Sequence, residues 1–221
     1  MAGKVPHKAV PHNEPTPERR SVSDVLAATR QVLANVQLGM RNIQAADPTQ
    51  RIPGLHNVIV FGRAVTIALQ RLRNIVNGFD EWWATQIPDK DPLLKYISDS
   101  RNAILKEAVL PTTSSSVYIE HFSGNPMQMV TGTPPAGATS VFVGDNVGGS
   151  GWIVRLPDGT EQKFYGELSP LFQGTVTAHL PAAPTEFLGE PLPDNTIEGV
   201  AKSYVAWLES VVAEAEHRFN P

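Results

Sequence analysis

The chain has 221 residues, of which 41% are hydrophobic, and a formal net charge of −4. This is enough for one large domain, or for a domain that carries an insertion. The sequence contains no cysteine, which excludes disulfides, thiolate metal sites and cysteine nucleophiles. The acidic balance gives no overall attraction for nucleic acid, so any RNA or DNA site has to be a local basic patch.

Membrane association is also not expected. No apolar run approaches the roughly 18 to 20 residues of a membrane span, and the N-terminus lacks the apolar core of a secretory signal. We therefore expect a soluble, cytoplasmic protein.

Residues 1–20 are rich in proline and basic side chains and contain few apolar ones. This composition predicts a disordered N-terminal arm. The arm is either a loose tail or a tether for an acidic partner.

Two long helices are predicted next, over residues 21–46 and 55–77, with Ser21 or Ser23 opening the first. Both have apolar residues at alternating spacings of three and four, which is typical of a seam against another helix. In the first helix the seam is Val22, Leu26, Thr29, Leu33, Val36, Met40 and Ile43. In the second it is Val58, Phe61, Val65, Ala68, Leu72, Ile75 and Phe79. The short connection between them predicts an antiparallel pair.

Polar and aromatic groups flank the second helix. Arg63, Arg71 and Arg73 are interpreted as solvated side chains on its outer flanks, with a small basic patch as the alternative. Trp82 and Trp83 are expected to plug the core, although paired tryptophans are also able to stack on bases.

The stretch 91–108 predicts a third long helix. Asp91 is placed to cap its start, and Pro92 suits the first helical position. Its apolar stripe contains Leu94, Ile97, Ile104 and Ala108. Arg101 occupies a gap in that stripe. Burying a cation there costs free energy unless a carboxylate or several carbonyl oxygens bind it. Arg101 is therefore either a buried structural pin with an acidic partner or part of a functional cleft.

Residues 111–193 differ in character from the helical segments. Short segments rich in β-branched and aromatic residues predict strands at 117–122, 139–144, 152–156, 160–165 and 176–180. The sequence Pro157-Asp158-Gly159 predicts a hairpin turn. We expect a small antiparallel β unit with linkers on both sides.

A last helix is predicted within residues 194–221, with Asn195 and Glu198 resembling a capping box. Its apolar stripe requires a partner, so it should return to the first helices. The predicted fold class is therefore α+β, a four-helix bundle with an inserted small antiparallel β unit before the C-terminal helix. The bundle comprises residues 21–110 and 194–221.

No cofactor or metal site is predicted. The six histidines are scattered without metal-ligand spacing. The Gly-rich stretch 148–151 lacks the Lys-Ser/Thr pair of a phosphate loop, and no helix is predicted after it. It is interpreted as a flexible connection between strands.

Arg101 and Asn102 form an Arg-Asn pair on a late helix of the predicted bundle. This resembles the HEPN families, whose motif is Arg-Asn-x-x-x-His or a near variant. The resemblance covers the helical part only, and Lys106 stands at the histidine position. It implies a relation to RNA endonucleases of toxin–antitoxin and phage-defence systems, which are usually dimers with paired motifs at their interface. A lysine acts as a base only when its pKa is strongly lowered.

Three functions follow as hypotheses. The leading one is a non-enzymatic interaction or scaffold protein of bacterial or phage type on a HEPN-like bundle, with a protein partner or a second copy bound. The alternative is an RNA-binding protein or metal-independent endoribonuclease, with Arg101, Asn102 and Lys106 as the candidate site residues. A third is a component of a phage or defence assembly that docks through the β unit.

Overall fold

A computed structural model describes residues 21–87 and 90–219. The predicted N-terminal arm, residues 1–20, lies outside the described residues. Within the described ranges the fold is mixed α+β, as expected, with five α-helices and several short antiparallel strands. The helices are α1 Val22–Ile43, α2 Arg51–Leu69, α3 Phe79–Gln86, α4 Pro92–Glu107 and α5 Ile197–Phe219.

Helices α1 and α2 form the predicted antiparallel pair. Ser21 caps α1, and its side chain exchanges hydrogen bonds with Asp24 in a capping box. The backbones of the two helices are in close contact at Gly39 and Gly54. A Cβ added at Gly39 would lie 2.7 Å from the Gly54 carbonyl oxygen. Glycine at both positions is therefore a condition of this close backbone contact.

Helix α2 differs from its predicted bounds. It begins at Arg51, four residues before the predicted start, because Pro53 is tolerated in a first helical turn. After Leu69 the chain tightens into a 3₁₀ turn, Gln70–Asn74. Ile75, predicted to lie in the seam, is 39% exposed there.

The tryptophan pair plugs the core, as predicted. Trp82 and Trp83 on α3 are both buried and pack with Phe79 and Phe219. The indole Nε1–H of Trp82 donates a hydrogen bond to Glu214 on α5 at 2.9 Å. A buried indole is thus satisfied by a carboxylate of the last helix.

Helix α5 returns to α1 and α2, as predicted from its apolar stripe. It contributes ten buried side chains, including Tyr204 and Leu208. Along its outer flank Glu198 accepts a hydrogen bond from Gln44, Glu209 accepts one from Gln37, and Glu216 forms an ion pair with Arg30. Residue numbers in these pairs fall along α1 as they rise along α5, so α5 lies antiparallel to α1. The cap is Thr196 rather than Asn195, since Thr196 Oγ1 accepts from the Gly199 amide at 2.8 Å.

The β region is antiparallel but larger than the small unit expected. It contains three separate small sheets, ordered β1-β5, β2-β3-β4 and β6-β7. The strands are β1 Ser114–Phe122, β2 Ala138–Val143, β3 Ser150–Arg155, β4 Glu161–Tyr165, β5 Phe172–His179, β6 Glu186–Phe187 and β7 Glu190–Pro191. The last two come from the proline-rich segment, for which no strand was predicted.

The β1–β5 pair is a two-stranded ribbon. Its register runs from Ser114 opposite His179 to Phe122 opposite Phe172, with an irregularity after Ile119. The helices form the main core, to which the end of the β region adds Leu180 and Phe187. A large buried cluster draws on all five helices, whereas the β region buries only Val130, Trp152 and Val154 in a cluster of its own.

The stretch Pro48–Asn74, alone among the described residues, is long and apolar enough to cross a membrane by length and composition. The expectation that no run reaches that length is therefore wrong for this stretch. Half of its most apolar window is buried in the protein, and α2 contributes Val58, Ile59 and Val65 to the core. Core helices of soluble proteins pass the same test, so the finding is consistent with a soluble protein. The cytoplasmic location stays a prediction.

Candidate functional site

Helix α4 carries the predicted site residues, and its start is fixed as the sequence indicates. The buried carboxylate of Asp91 accepts a hydrogen bond from the Leu94 amide at 2.9 Å, and Pro92 takes the first helical position. Asp91 also accepts one from the amide of Leu188 at 2.7 Å. The same carboxylate therefore anchors the β6–β7 turn to the beginning of α4. The helix ends at Glu107, and the next residue, Ala108, adopts a left-handed conformation.

Arg101 lies one helical turn after the buried Ile97 and is half-buried. Its Nη1–H donates a hydrogen bond to Oδ1 of Asn102 at 3.2 Å. No carboxylate in residues 21–87 or 90–219 forms an ion pair with it. The acidic partner expected of a structural pin is thus not found in these ranges. The Asn102 oxygen accepts a hydrogen bond from one of the five guanidinium N–H donors of Arg101, and the other donors stay available.

The three candidate site residues do not share one face of α4. Lys106 is exposed and follows Asn102 by four residues, which places these two on the same side of the helix. Arg101 precedes Lys106 by five residues and lies on a different side. The other lysine of α4, Lys95 near its start, forms an ion pair with Asp99 at 2.5 Å. Within one chain, the Arg101 guanidinium and the Lys106 ammonium are therefore too far around the helix from each other to act as a general acid and base on one group.

Exposed apolar side chains are concentrated immediately after this motif. Six of the twelve exposed large hydrophobic residues among those described fall between 105 and 119. They are Leu105, Val109, Leu110, Val117, Tyr118 and Ile119, which we call the 105–119 surface. Tyr118 is the most exposed of them, at 64%. The segment covers the last turn of α4, the linker and the first half of β1.

A polar chain of three side chains ties the ribbon to the start of α5. Ser116 Oγ lies 2.8 Å from His179 Nε2, and His179 Nδ1 lies 3.0 Å from Asn195 Oδ1. An amide oxygen only accepts, so Nδ1 of His179 is the donor to Asn195, and the serine hydroxyl lies within hydrogen-bond distance of the other ring nitrogen. This is the order found in acyl-transfer enzymes. Ser116 and Asn195 are exposed, however, so water is not excluded, and the chain of bonds serves as a link between ribbon and helix.

The Gly-rich turn before β3 is held by Asp145 rather than being a loose connection. Its side chain is 5% exposed and accepts hydrogen bonds from the amides of Val147 and Gly149, from Lys163 and from Tyr165. Burial alone would raise the pKa of this carboxyl, but the four donors outweigh it and the pKa is lowered. Burial and the bond to Asp145 raise the pKa of Tyr165 to about 12. The cluster is structural, because every member is bonded within it.

Arg63 departs from its interpretation as a solvated flank residue. It is half-buried and lines a small cavity between helices with Tyr204 of α5. Sequence reasoning missed this pair because 141 positions separate the two residues. A local signal existed in Gly62: a Cβ there would collide with the Tyr204 ring, so glycine marks the close approach.

The residues that the structure describes include no group of three or more His, Asp or Glu side chains placed to hold a metal ion. No protein-family model, curated protein or solved structure matches the chain.

Proposed function

We propose that this chain is a non-enzymatic interaction protein that self-associates through the 105–119 surface. In this proposal α1, α2, α4 and α5 form a HEPN-like four-helix bundle, and the β region is inserted before the last helix. The single observation that carries the proposal is the concentration of exposed apolar side chains between Leu105 and Ile119. Exposed apolar side chains that are concentrated in one segment are a feature of interaction sites in soluble proteins.

The ribbon adds a second reason. Strand β1 pairs with β5 on one side and with no described strand on its other edge. A nine-residue strand with an open edge is a template for pairing with another chain. Two copies that pair their β1 strands antiparallel about a two-fold axis would form a continuous four-stranded sheet.

The strength of such an association follows from the exposed area. Covering a half-exposed large apolar side chain gains about 1 kcal/mol. A two-fold interface covers up to six such side chains on each copy, so a gain of at most about 12 kcal/mol stands against an association cost of about 4 to 15 kcal/mol. The expected complex is weak and concentration-dependent rather than obligate.

Sedimentation velocity over a range of protein concentrations tests this proposal. We expect a monomer–dimer equilibrium that Ile119→Glu and Leu105→Glu each shift strongly toward monomer. Ile67→Glu is the matched control, because Ile67 is 41% exposed but lies on α2, outside the surface. Equal behaviour of the three variants, or a wild-type monomer at every concentration, contradicts the proposal.

A second candidate function is RNA binding or metal-independent RNA cleavage centred on Arg101 and Asn102, with Lys106 as an additional phosphate contact. The observation in its favour is the guanidinium of Arg101, which has no acidic partner among the described residues. Such a group is free to bind a phosphate.

This candidate is tested by RNA-binding and cleavage assays with Arg101→Ala and Lys106→Ala. Loss of RNA binding in Arg101→Ala, with an unchanged melting temperature, would support it. Lys106→Ala should then weaken binding and reduce the salt dependence. A wild-type protein that neither binds nor cleaves RNA at low salt contradicts it.

A further inference from the structure

A small cavity lies where α2, α4 and α5 meet. Its volume is about 180 Å³, far more than the roughly 10 to 15 Å³ that one buried water requires. Apolar walls come from Leu94, Ile97 and Trp207, and polar groups come from Arg63, Ser98 and Tyr204. The cavity lies apart from the 105–119 surface, and it is used by neither function proposed above.

The cation in this cavity is held in place but not neutralised. Nη1 of Arg63 donates a hydrogen bond to Oγ1 of Thr66 at 2.8 Å, and the same hydroxyl donates to the Arg63 carbonyl oxygen at 2.8 Å. Thr66 is 3% exposed, so its hydroxyl is a fixed acceptor. No carboxylate of the described chain forms an ion pair with Arg63. The guanidinium is therefore oriented while most of its donors stay unused.

Tyr204 supplies a buried donor beside this cation. Its side chain is 1% exposed, stacks on Trp207 with ring centroids 5.7 Å apart, and makes no hydrogen bond to any described residue. Burial raises the pKa of Tyr204, against a smaller opposing effect of the positive Arg63, so the hydroxyl keeps its proton. The hydroxyl lines the cavity and has no partner among the described residues, so it is free to donate a hydrogen bond to a ligand there.

We propose that this cavity is a binding site for a small carboxylate with a short apolar chain. The planar fork of Arg63 matches a carboxylate in two parallel hydrogen bonds. The Tyr204 hydroxyl donates to the same group, and the apolar walls cover the chain. A larger or strongly hydrated anion fits these walls less well. The position of Tyr204 depends on Gly62, where any side chain would collide with the tyrosine ring.

The test is an NMR titration of the full chain with sodium butyrate, followed at the indole N–H of Trp207 and the amides around Arg63. We expect saturable shifts with butyrate and none with butyramide, its neutral analogue of the same shape. Sodium phosphate over the same range should give no saturation at these signals. Saturation by phosphate alone, equal shifts with butyramide, or no saturation by butyrate overturns the proposal.

Variants locate the binding. Arg63→Gln should weaken butyrate binding by about tenfold or more, and Tyr204→Phe by roughly threefold to tenfold. Arg63→Lys keeps the charge but not the fork, and should also weaken it. Arg71→Gln is the control, because Arg71 is exposed and outside the cavity. Unchanged affinity in both Arg63→Gln and Tyr204→Phe, or equal loss in Arg71→Gln, contradicts the assignment.

Discussion

The helices and the β region of this chain bury their side chains very differently. The helical cluster takes side chains from all five helices and recruits Leu180 and Phe187 from the segment before α5. The β region has three small sheets and one small cluster around Trp152, and it exposes Tyr118 and Ile119 on its ribbon. Burial of apolar area is the main source of folding free energy. We therefore expect the helices to supply most of the folding free energy, while the ribbon carries part of the interaction surface proposed above.

The largest effect should come from removing α5 by deleting residues 195–221. The deletion takes ten buried side chains from the helical cluster and exposes the faces of α1 and α2 that they cover. We expect loss of the cooperative unfolding transition, with a molten or aggregating product, in calorimetry and near-ultraviolet circular dichroism. A truncated chain that unfolds cooperatively would show that the helices do not depend on α5.

Asp145→Ala should give the next largest effect, confined to the β region. The change removes four hydrogen bonds to a charged, buried acceptor, and we expect a cost of about 2 to 3 kcal/mol. The Trp152 indole signal should report the local loss by NMR. Asp145→Asn is the control, because it keeps an acceptor for the turn amides and should cost less.

The Asp145 carboxyl should also make the stability of the β region depend on pH. The pKa of this carboxyl is lower in the folded protein than its ordinary value of 3.8. Its contribution to the free energy of unfolding is therefore fully present above that value, and it is lost as the pH falls through the folded pKa. The Trp152 signal should therefore change at acidic pH before the helical signal does. Simultaneous loss of both signals would mean that the two regions unfold as one.

The smallest effect is expected at Arg101. Because its guanidinium is half-buried and bonded only to Asn102, Arg101→Ala should cost less than about 1 kcal/mol in chemical denaturation. Ile97→Ala, one turn earlier and 3% exposed, is the matched control and should cost about 2 to 5 kcal/mol. A cost at Arg101 as large as that at Ile97 would point to a structural role that the described residues do not explain.

Local signals in the sequence predicted the elements well. The three-four spacing predicted α1, α4 and α5, and the Asp91-Pro92 pair predicted the start of α4 because both act within one helical turn. The five longer strands were predicted to within a few residues at most ends, since β-branched runs and turn residues are local features.

The errors concern contacts between distant parts of the chain. Thr196 rather than Asn195 caps α5, because Asn195 bonds to His179 on the ribbon. Arg63 could not be assigned to a cavity, since its companion Tyr204 lies on a helix at the other end of the sequence. For Arg101, the apolar stripe correctly indicated partial burial, but periodicity does not reveal whether a carboxylate from another element reaches it.

Replacement of residues 115–178 by a short Gly-Ser turn tests the central claim most directly. Ser114 and His179 are paired across the ribbon, so a short turn can join them without moving the helices. The account predicts that helical circular dichroism and a cooperative denaturant transition survive, and that self-association is lost with the ribbon. Loss of the helical signal in this variant would contradict the claim that the helices hold the fold and the β region supplies its surface.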